Sequence, residues 1–230
     1  MVFRWEDVGD RAEDKAVLVI DTLRATTTMV GLFEKGADRV MACPTVEEAF
    51  AHRISLPSAI LGGERQNQAP PGFDAGNSIF DYPETLVHGR SVVFTTTNGT
   101  RAIDAVTRTA SWVGLACLRN RSVAGAAQQR LSDTALIVCA GTAGATSWED
   151  TLTAGAIVDT WPRDAWTDGA RLAWTSFHVH RERLLKGLMM SRHAQILQET
   201  GMGRDIEHAA ALDATSIIPV RDAQGWFVKS

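Results

Sequence analysis

Short apolar runs alternate with longer stretches of helical spacing along most of this chain. Ala16 to Ile20 is apolar throughout and closes on Asp21, which predicts a strand buried on both faces. Leu23, Met29, Val30, Leu32 and Phe33 fit a helix only in part, because Thr26-Thr27-Thr28 is poor helix sequence; Gly36 supplies a C-cap. Arg39 to Cys43 predicts a second strand, and Thr45 and Glu48 stand at capping-box spacing before the next helix. Ala59 to Glu64 predicts a third strand. A long loop follows, Gln66 to Ser78, and loops of that length in a compact domain are often functional. Val92 to Thr97 predicts a fourth strand that stops at Asn98-Gly99, after which Ala102, Ile103, Ala105 and Val106 recur at helical spacing. Trp112 to Leu118 and Leu136 to Cys139 predict two more strands, with a helix over Asn120 to Leu131 between them. An Ala-rich helix follows the loop 140–150 and ends near Pro162.

From about residue 164 the pattern changes. Two helical segments near 167–186 and 187–200 precede a short helix, Asp205 to Asp213, and a hairpin of Ser216 to Val220 and Trp226 to Lys229. The strand–helix alternation predicts an α/β class: layered α/β/α with a largely parallel or mixed sheet, closed by C-terminal helices and a β-hairpin. Residues 1–230 read as a single domain, with two closely packed subdomains (about 1–163 and 164–230) as the alternative.

Composition narrows the class further. A hydrophobic fraction of 45% and a charged fraction of 22% are ordinary for a soluble globular protein. The net charge of −4 and a pI near 5.9 argue against a general nucleic-acid binder, so any field for an anionic ligand must come from a few arginines. Cys43, Cys117 and Cys139 are odd in number and widely spaced, which excludes a disulfide framework or a metal knuckle and suits a reducing cytosol. The N-terminus lacks a signal-peptide core and no apolar run approaches a membrane span, so a cytoplasmic protein without membrane partners is expected. The tryptophans near residues 161–174 suggest a homo-oligomer interface, with buried core as the other use.

Polar clusters follow the apolar strands. Asp21 and Arg24 precede Thr26 and Thr27; Glu64 and Arg65 open the long loop that holds Asp74 and Asn77; Thr97, Asn98, Gly99, Thr100 and Arg101 lie where a strand hands over to a helix; Glu149 and Asp150 begin the Ala-rich helix. A strand-to-helix turn gathers backbone N–H groups where the helix dipole favours an anion. In a parallel sheet the C-terminal strand ends share one edge, so these loops are expected to converge. Acids and arginines together suit a Mg²⁺-assisted reaction on a phosphate: Mg²⁺ takes carboxylate oxygens, and arginine makes bidentate contacts to phosphate. Each has a bland counterpart: Asp21 as a helix cap, Arg24 as its ion-pair partner, Glu64 and Arg65 as a loop pair, Glu149 and Asp150 as dipole partners. Cys139 stands at a strand end, where a thiol nucleophile or a small buried hydrophobe would sit. His178, His180 and His193 are expected to be solvated or partner-facing.

Ile20-Asp-Thr-Leu-Arg-Ala-Thr-Thr-Thr28, Gly63-Glu-Arg65, Gly72-Phe-Asp-Ala-Gly-Asn-Ser78, Thr95-Thr-Thr-Asn-Gly-Thr-Arg101, Cys139-Ala-Gly141 and Glu149-Asp150 resemble, in order and spacing, the signature blocks of the 2-phosphosulfolactate phosphatase (ComB) family. Asp205-Ile206 and Pro219 fit as well. The blocks span about residues 17–160. The resemblance implies an α/β fold of its own superfamily and a Mg²⁺-dependent phosphatase acting on (2R)-2-phospho-3-sulfolactate. In methanogens that step serves coenzyme M biosynthesis. It departs from the family pattern at Gln66 to Pro71 and at Ile79. On this reading Asp21, Glu64 and Asp150 hold Mg²⁺, with Asp74 or Glu149 as substitutes. Arg24, Arg101 and the Asn98–Thr100 backbone bind phosphate, and Arg65 the sulfonate or carboxylate. Direct attack by water and a phosphoenzyme on Cys139, an Asp or a Thr both stay open. A phosphatase for another small phosphorylated acid and a non-catalytic anion-binding domain are the alternatives.

Overall fold

The computed structural model describes residues 1–131 and 135–230. In the N-terminal half, strands β1 (Ala16–Ile20), β2 (Arg39–Ala42), β3 (Ile60–Gly63) and β4 (Ser91–Thr95) alternate with helices α1 (Ala25–Glu34), α2 (Val46–Ser55) and α3 (Glu84–Val87). Then come α4 (Gly99–Thr107), β5 (Trp112–Ala116), α5 (Arg121–Leu131), β6 (Ala135–Cys139) and α6 (Trp148–Val158). The C-terminal part is α7 (Asp168–His180), α8 (Leu184–Leu188), α9 (Arg192–Glu199), α10 (Gly203–Ala209), β7 (Pro219–Arg221) and β8 (Phe227–Lys229). No helix among the described residues is long and apolar enough to cross a membrane.

Several local expectations shift: the segments near 167–186 and 187–200 form the three helices α7, α8 and α9, the Trp112 strand ends at Ala116, and the helix expected over Asp205 to Asp213 is α10. The threonine run is helical from Ala25 onward, because each hydroxyl finds a buried carbonyl: Thr26 donates to Asp21 and Ala116, Thr27 to Thr22, and Thr28 to Asn77. Those bonds offset the weak intrinsic propensity. The fourth strand ends at Thr95 rather than Thr97, since Thr96 turns to bond Thr100 in both directions.

The eight strands among the described residues form one mixed sheet in the order β3-β4-β2-β8-β7-β5-β1-β6. β1 is parallel to β5 and β6, and β4 is parallel to β2 and β3. The C-terminal hairpin lies in the middle, β7 antiparallel to β5 and β8 antiparallel to β2. The two parallel sets therefore run in opposite senses along the ladder, so a common C-terminal edge holds only within each set. Alternation along the strands fills both faces. Val17 and Val19, with Val92 and Phe94, pack against Met29 and Leu32 of α1 and Ile103 and Val106 of α4. Leu18, Ile20, Ile137 and Cys139 face Ala124 of α5 and Ala154 and Ile157 of α6. Met41, Leu61 and Val93 cover Ala49 of α2. Strands of both parallel sets thus share one core with α1 and α4. Residues of the loops after β1, β3, β4 and β6 nonetheless line one cavity.

Candidate active site

The loop after β1 supplies the centre. Asp21 is buried, its Oδ1 accepts the Ala25 N–H at 3.3 Å, and its backbone N–H donates to the Thr26 hydroxyl. Burial pushes its carboxyl up to about 7; Glu64 and Glu149 add to this, while the Ala25 N–H and Arg24 oppose it. Gly99, at the first turn of α4, presses on the same group: a Cβ there would stand 2.5 Å from both Asp21 Oδ2 and the Ala25 Cβ.

At the end of β3, Gly63 adopts φ +131° and leaves no room for a side chain against the Thr95 carbonyl. This turn delivers Glu64, whose Oε1 accepts the Thr97 N–H at 2.8 Å and whose Oε2 accepts the Asn67 N–H at 3.0 Å. After β6, Ser147 caps α6 and holds Glu149 and Asp150 in its first turn. Asp150 is tied at both oxygens, to the Thr22 N–H at 2.8 Å and the Gly141 N–H at 3.1 Å. Burial raises both carboxyls; for Asp150 the charges of Asp21 and Glu149 add to it, and for Glu149 hydroxyls from Ser147 and Ser191 oppose it.

Arg24 faces these acids. It is 4% exposed, and its Nη1 donates to Asp205 at 2.7 Å. Its Nε and Nη2 are buried without a partner. The Asn77 Oδ1 is likewise unpartnered. Together these residues line a cavity of about 220 Å³ that also takes in Thr97, Asn98, Gly141–Ala143 and His193.

Asp21, Arg24, Glu64, Asn77, Thr97, Asn98, Glu149 and Asp150 therefore come together, although they reach the cavity from two oppositely directed strand sets. The other candidates stand elsewhere. Arg65 turns its guanidinium to the carbonyls of Glu64 and Pro44 and the Thr95 hydroxyl. Arg101 is exposed on α4, outside the lining. Asp74 pairs with Arg53 at 2.6 Å and accepts the Leu61 N–H, on the flank of β3. Thr26, Thr27 and Thr100 spend their hydroxyls on carbonyls, holding the two loops rather than facing the cavity. The Cys139 thiol is wholly buried and pushed well up by burial, with the Asp150 charge adding to this. It thus lacks both access and thiolate character.

His193, expected to be solvated or partner-facing, lines the cavity from the first turn of α9, which Ser191 caps. Burial lowers its pKa, Arg24 adds to this, and Glu64 opposes it. Asn67 escaped notice because its contribution is a backbone N–H in a left-handed turn at φ +62°. Asp205 carried only a sequence resemblance; its place against Arg24 requires α10 to fold back over the first loop.

The pattern of a family model described as 2-phosphosulpholactate phosphatase matches residues 3–224. The chain belongs to the 2-phosphosulfolactate phosphatase family. Among its relatives, a probable 2-phosphosulfolactate phosphatase of Deinococcus radiodurans is 40% identical over 226 residues, covering 95% of this chain and 92% of that one. A protein of the same description from Caldanaerobacter subterraneus is 35% identical, covering 94% and 91%. One from Symbiobacterium thermophilum is 40% identical, covering 90% and 91%. Membership makes this phosphatase a phosphoric monoester hydrolase.

The phosphatase places like charges together in a buried cavity. Four carboxylates line it, whereas the buried cation beside them, Arg24, is already paired with Asp205. Among the described residues no three His, Cys, Asp or Glu side chains stand in the arrangement of a finished metal cage. The donors themselves are nonetheless hard oxygens of the kind a divalent cation takes. Asp21 and Glu149 keep the freest oxygens, and Glu64 and Asp150 are held rigid by backbone N–H groups.

Proposed function

We propose that this phosphatase hydrolyses (2R)-2-phospho-3-sulfolactate to 3-sulfolactate and phosphate, with Mg²⁺ held by Asp21 and Glu149 and backed by Glu64 and Asp150. The observation that carries the reading is Arg24: a buried guanidinium with two unpartnered nitrogens, lining the same cavity as four carboxylates. A buried donor without a partner costs about 1–3 kcal/mol, which a phosphate oxygen on Nε and Nη2 would recover. Asp205 holds Nη1 and so orients the free edge of the fork. The Thr97–Asn98 turn and Asn77 border the space where the ester would lie. When bound, Mg²⁺ supplies neutralisation of the phosphoryl oxygens and lets the anion approach the acids. The chain's part is then positioning: Gly99 and the Ala25 N–H fix Asp21, and Ser147 caps the turn that carries Glu149. Water adds across the P–O bond, its oxygen going to phosphorus and its proton to the departing alkoxide.

Phosphate release from 2-phosphosulfolactate, with Mg²⁺ and with EDTA, tests this, with phospholactate and phosphoglycerate alongside. Release that needs Mg²⁺ and favours the sulfonated ester is the expected result. Equal release in EDTA would remove the metal, and turnover of the other esters alone would remove the substrate.

A further inference from the structure

Arg24 and Asn77 also line a second cavity, of about 450 Å³. Small-molecule sites commonly span about 300–1,000 Å³. The acid-lined cavity falls below that range, and the adjoining one lies within it. The second cavity holds an exposed cation, Arg204, whose guanidinium carbon lies 4.2 Å from the centre of the Phe80 ring. Stacking uses the flat face of the guanidinium and leaves its N–H edges free. Arg204 forms no ion pair among the described residues. The two acids nearby are already engaged: Asp205 accepts from Arg24 and Ser78, and Asp81 accepts the Gly76 N–H.

We infer that Arg204 binds an anionic group of the substrate other than its phosphate, so that the ester spans both cavities, phosphate on Arg24 and acid tail on Arg204. This rests on the proposed substrate. That tail carries a carboxylate and a sulfonate, and a planar fork on an aromatic platform matches either. Arg65, the other arginine considered for this role, has its donors on carbonyls. Arg204 therefore selects the substrate without taking part in the chemistry.

The test is steady-state kinetics of wild type, Arg204→Gln and Phe80→Leu on three esters: 2-phosphosulfolactate, phospholactate (no sulfonate) and 2-phosphoethanesulfonate (no carboxylate). Loss of one charge-assisted contact should raise KM for 2-phosphosulfolactate about tenfold or more, with kcat little changed. Phe80→Leu should move KM the same way by less. A matching KM rise on 2-phosphoethanesulfonate alone identifies the sulfonate, and one on phospholactate alone identifies the carboxylate; both support the assignment. Unchanged KM for all three, or an equal loss on all three, overturns it. Wild type that fails to turn over 2-phosphosulfolactate defeats the proposed function itself, a result separable from any effect of Arg204. Both positions are exposed, and a melting curve confirms that each variant folds.

Discussion

Arg24 and Asp205 form an ion pair of 2.7 Å between side chains that are 3% and 5% exposed. One comes from the loop after the first strand and the other from α10, so the pair clamps the C-terminal helices over the cavity. Breaking a buried pair by removing one partner costs about 3–5 kcal/mol, because the other charge is left uncompensated. Asp205→Ala should lower stability by about that amount and loosen the Arg24 fork. Arg24→Gln should lower kcat/KM for phosphate release by about 10²–10³-fold, as loss of an electrostatic stabiliser does. Chemical denaturation and phosphate assays check both. Activity retained in Arg24→Gln would remove the phosphate site from this arginine.

Gly99 is the point where α4 meets Asp21. A methyl at this position would lie 2.5 Å from the Asp21 carboxylate and from the Ala25 Cβ, so one of them must shift. Overpacking of this kind costs about 1–3 kcal/mol. Gly99→Ala should lower the denaturation midpoint accordingly and depress turnover more than stability alone explains. Wild-type turnover in this variant would show that the Asp21 position is not critical.

Asp21, Glu149 and Asp150 hold their protons to higher pH in the folded chain than in the unfolded one, Asp21 up to about 7. Between about pH 4 and about pH 7 the folded state therefore binds more protons, and stability falls as pH rises. Asp74, whose pairing with Arg53 outweighs its burial, acts in the opposite sense below this window, and His193 and His208, lowered by burial, oppose the trend within it. In EDTA the melting temperature should drop from pH 4.5 to 7.5, and Mg²⁺ should restore it at the upper end. Glu149→Gln should melt higher than wild type in EDTA at pH 7.5 and gain little from Mg²⁺. A Glu149→Gln variant whose melting temperature falls with pH as steeply as that of wild type in EDTA would contradict the buried acid cluster.

Cys139 packs with Ala154 and Ile157 on the face of the sheet covered by α6. Cys139→Ala should keep phosphate release within about twofold while losing a modest amount of stability from the smaller side chain. Loss of turnover without unfolding would return a covalent thiol intermediate to consideration.

The strands and the acids were legible because their signals are local. Ala16 to Ile20 buries both faces, as its unbroken apolar run implied, and Asp21 stands at its end. The Thr26–Thr28 run misled for the same reason: propensity is a property of the segment, while the carbonyls that satisfy its hydroxyls belong to Asp21, Thr22, Asn77 and Ala116. Arg65 and Arg101 could not be distinguished from Arg24 by sequence. All three follow strand ends, and only packing decides which guanidinium is buried at the cavity with unpartnered donors.

The alternation of apolar strands and amphipathic helices, by itself, determined an α/β chain with polar loops at the strand ends, because burial imposes a period of two or of 3.6 on any segment that covers a core. Tertiary structure alone decided that β7 and β8 enter the middle of the sheet and reverse one half against the other. It also decided that His193, Arg204 and Asp205 cross from the C-terminal helices to the first loop. Those choices depend on which surfaces can exclude water together, and no local period records the identity of a distant partner.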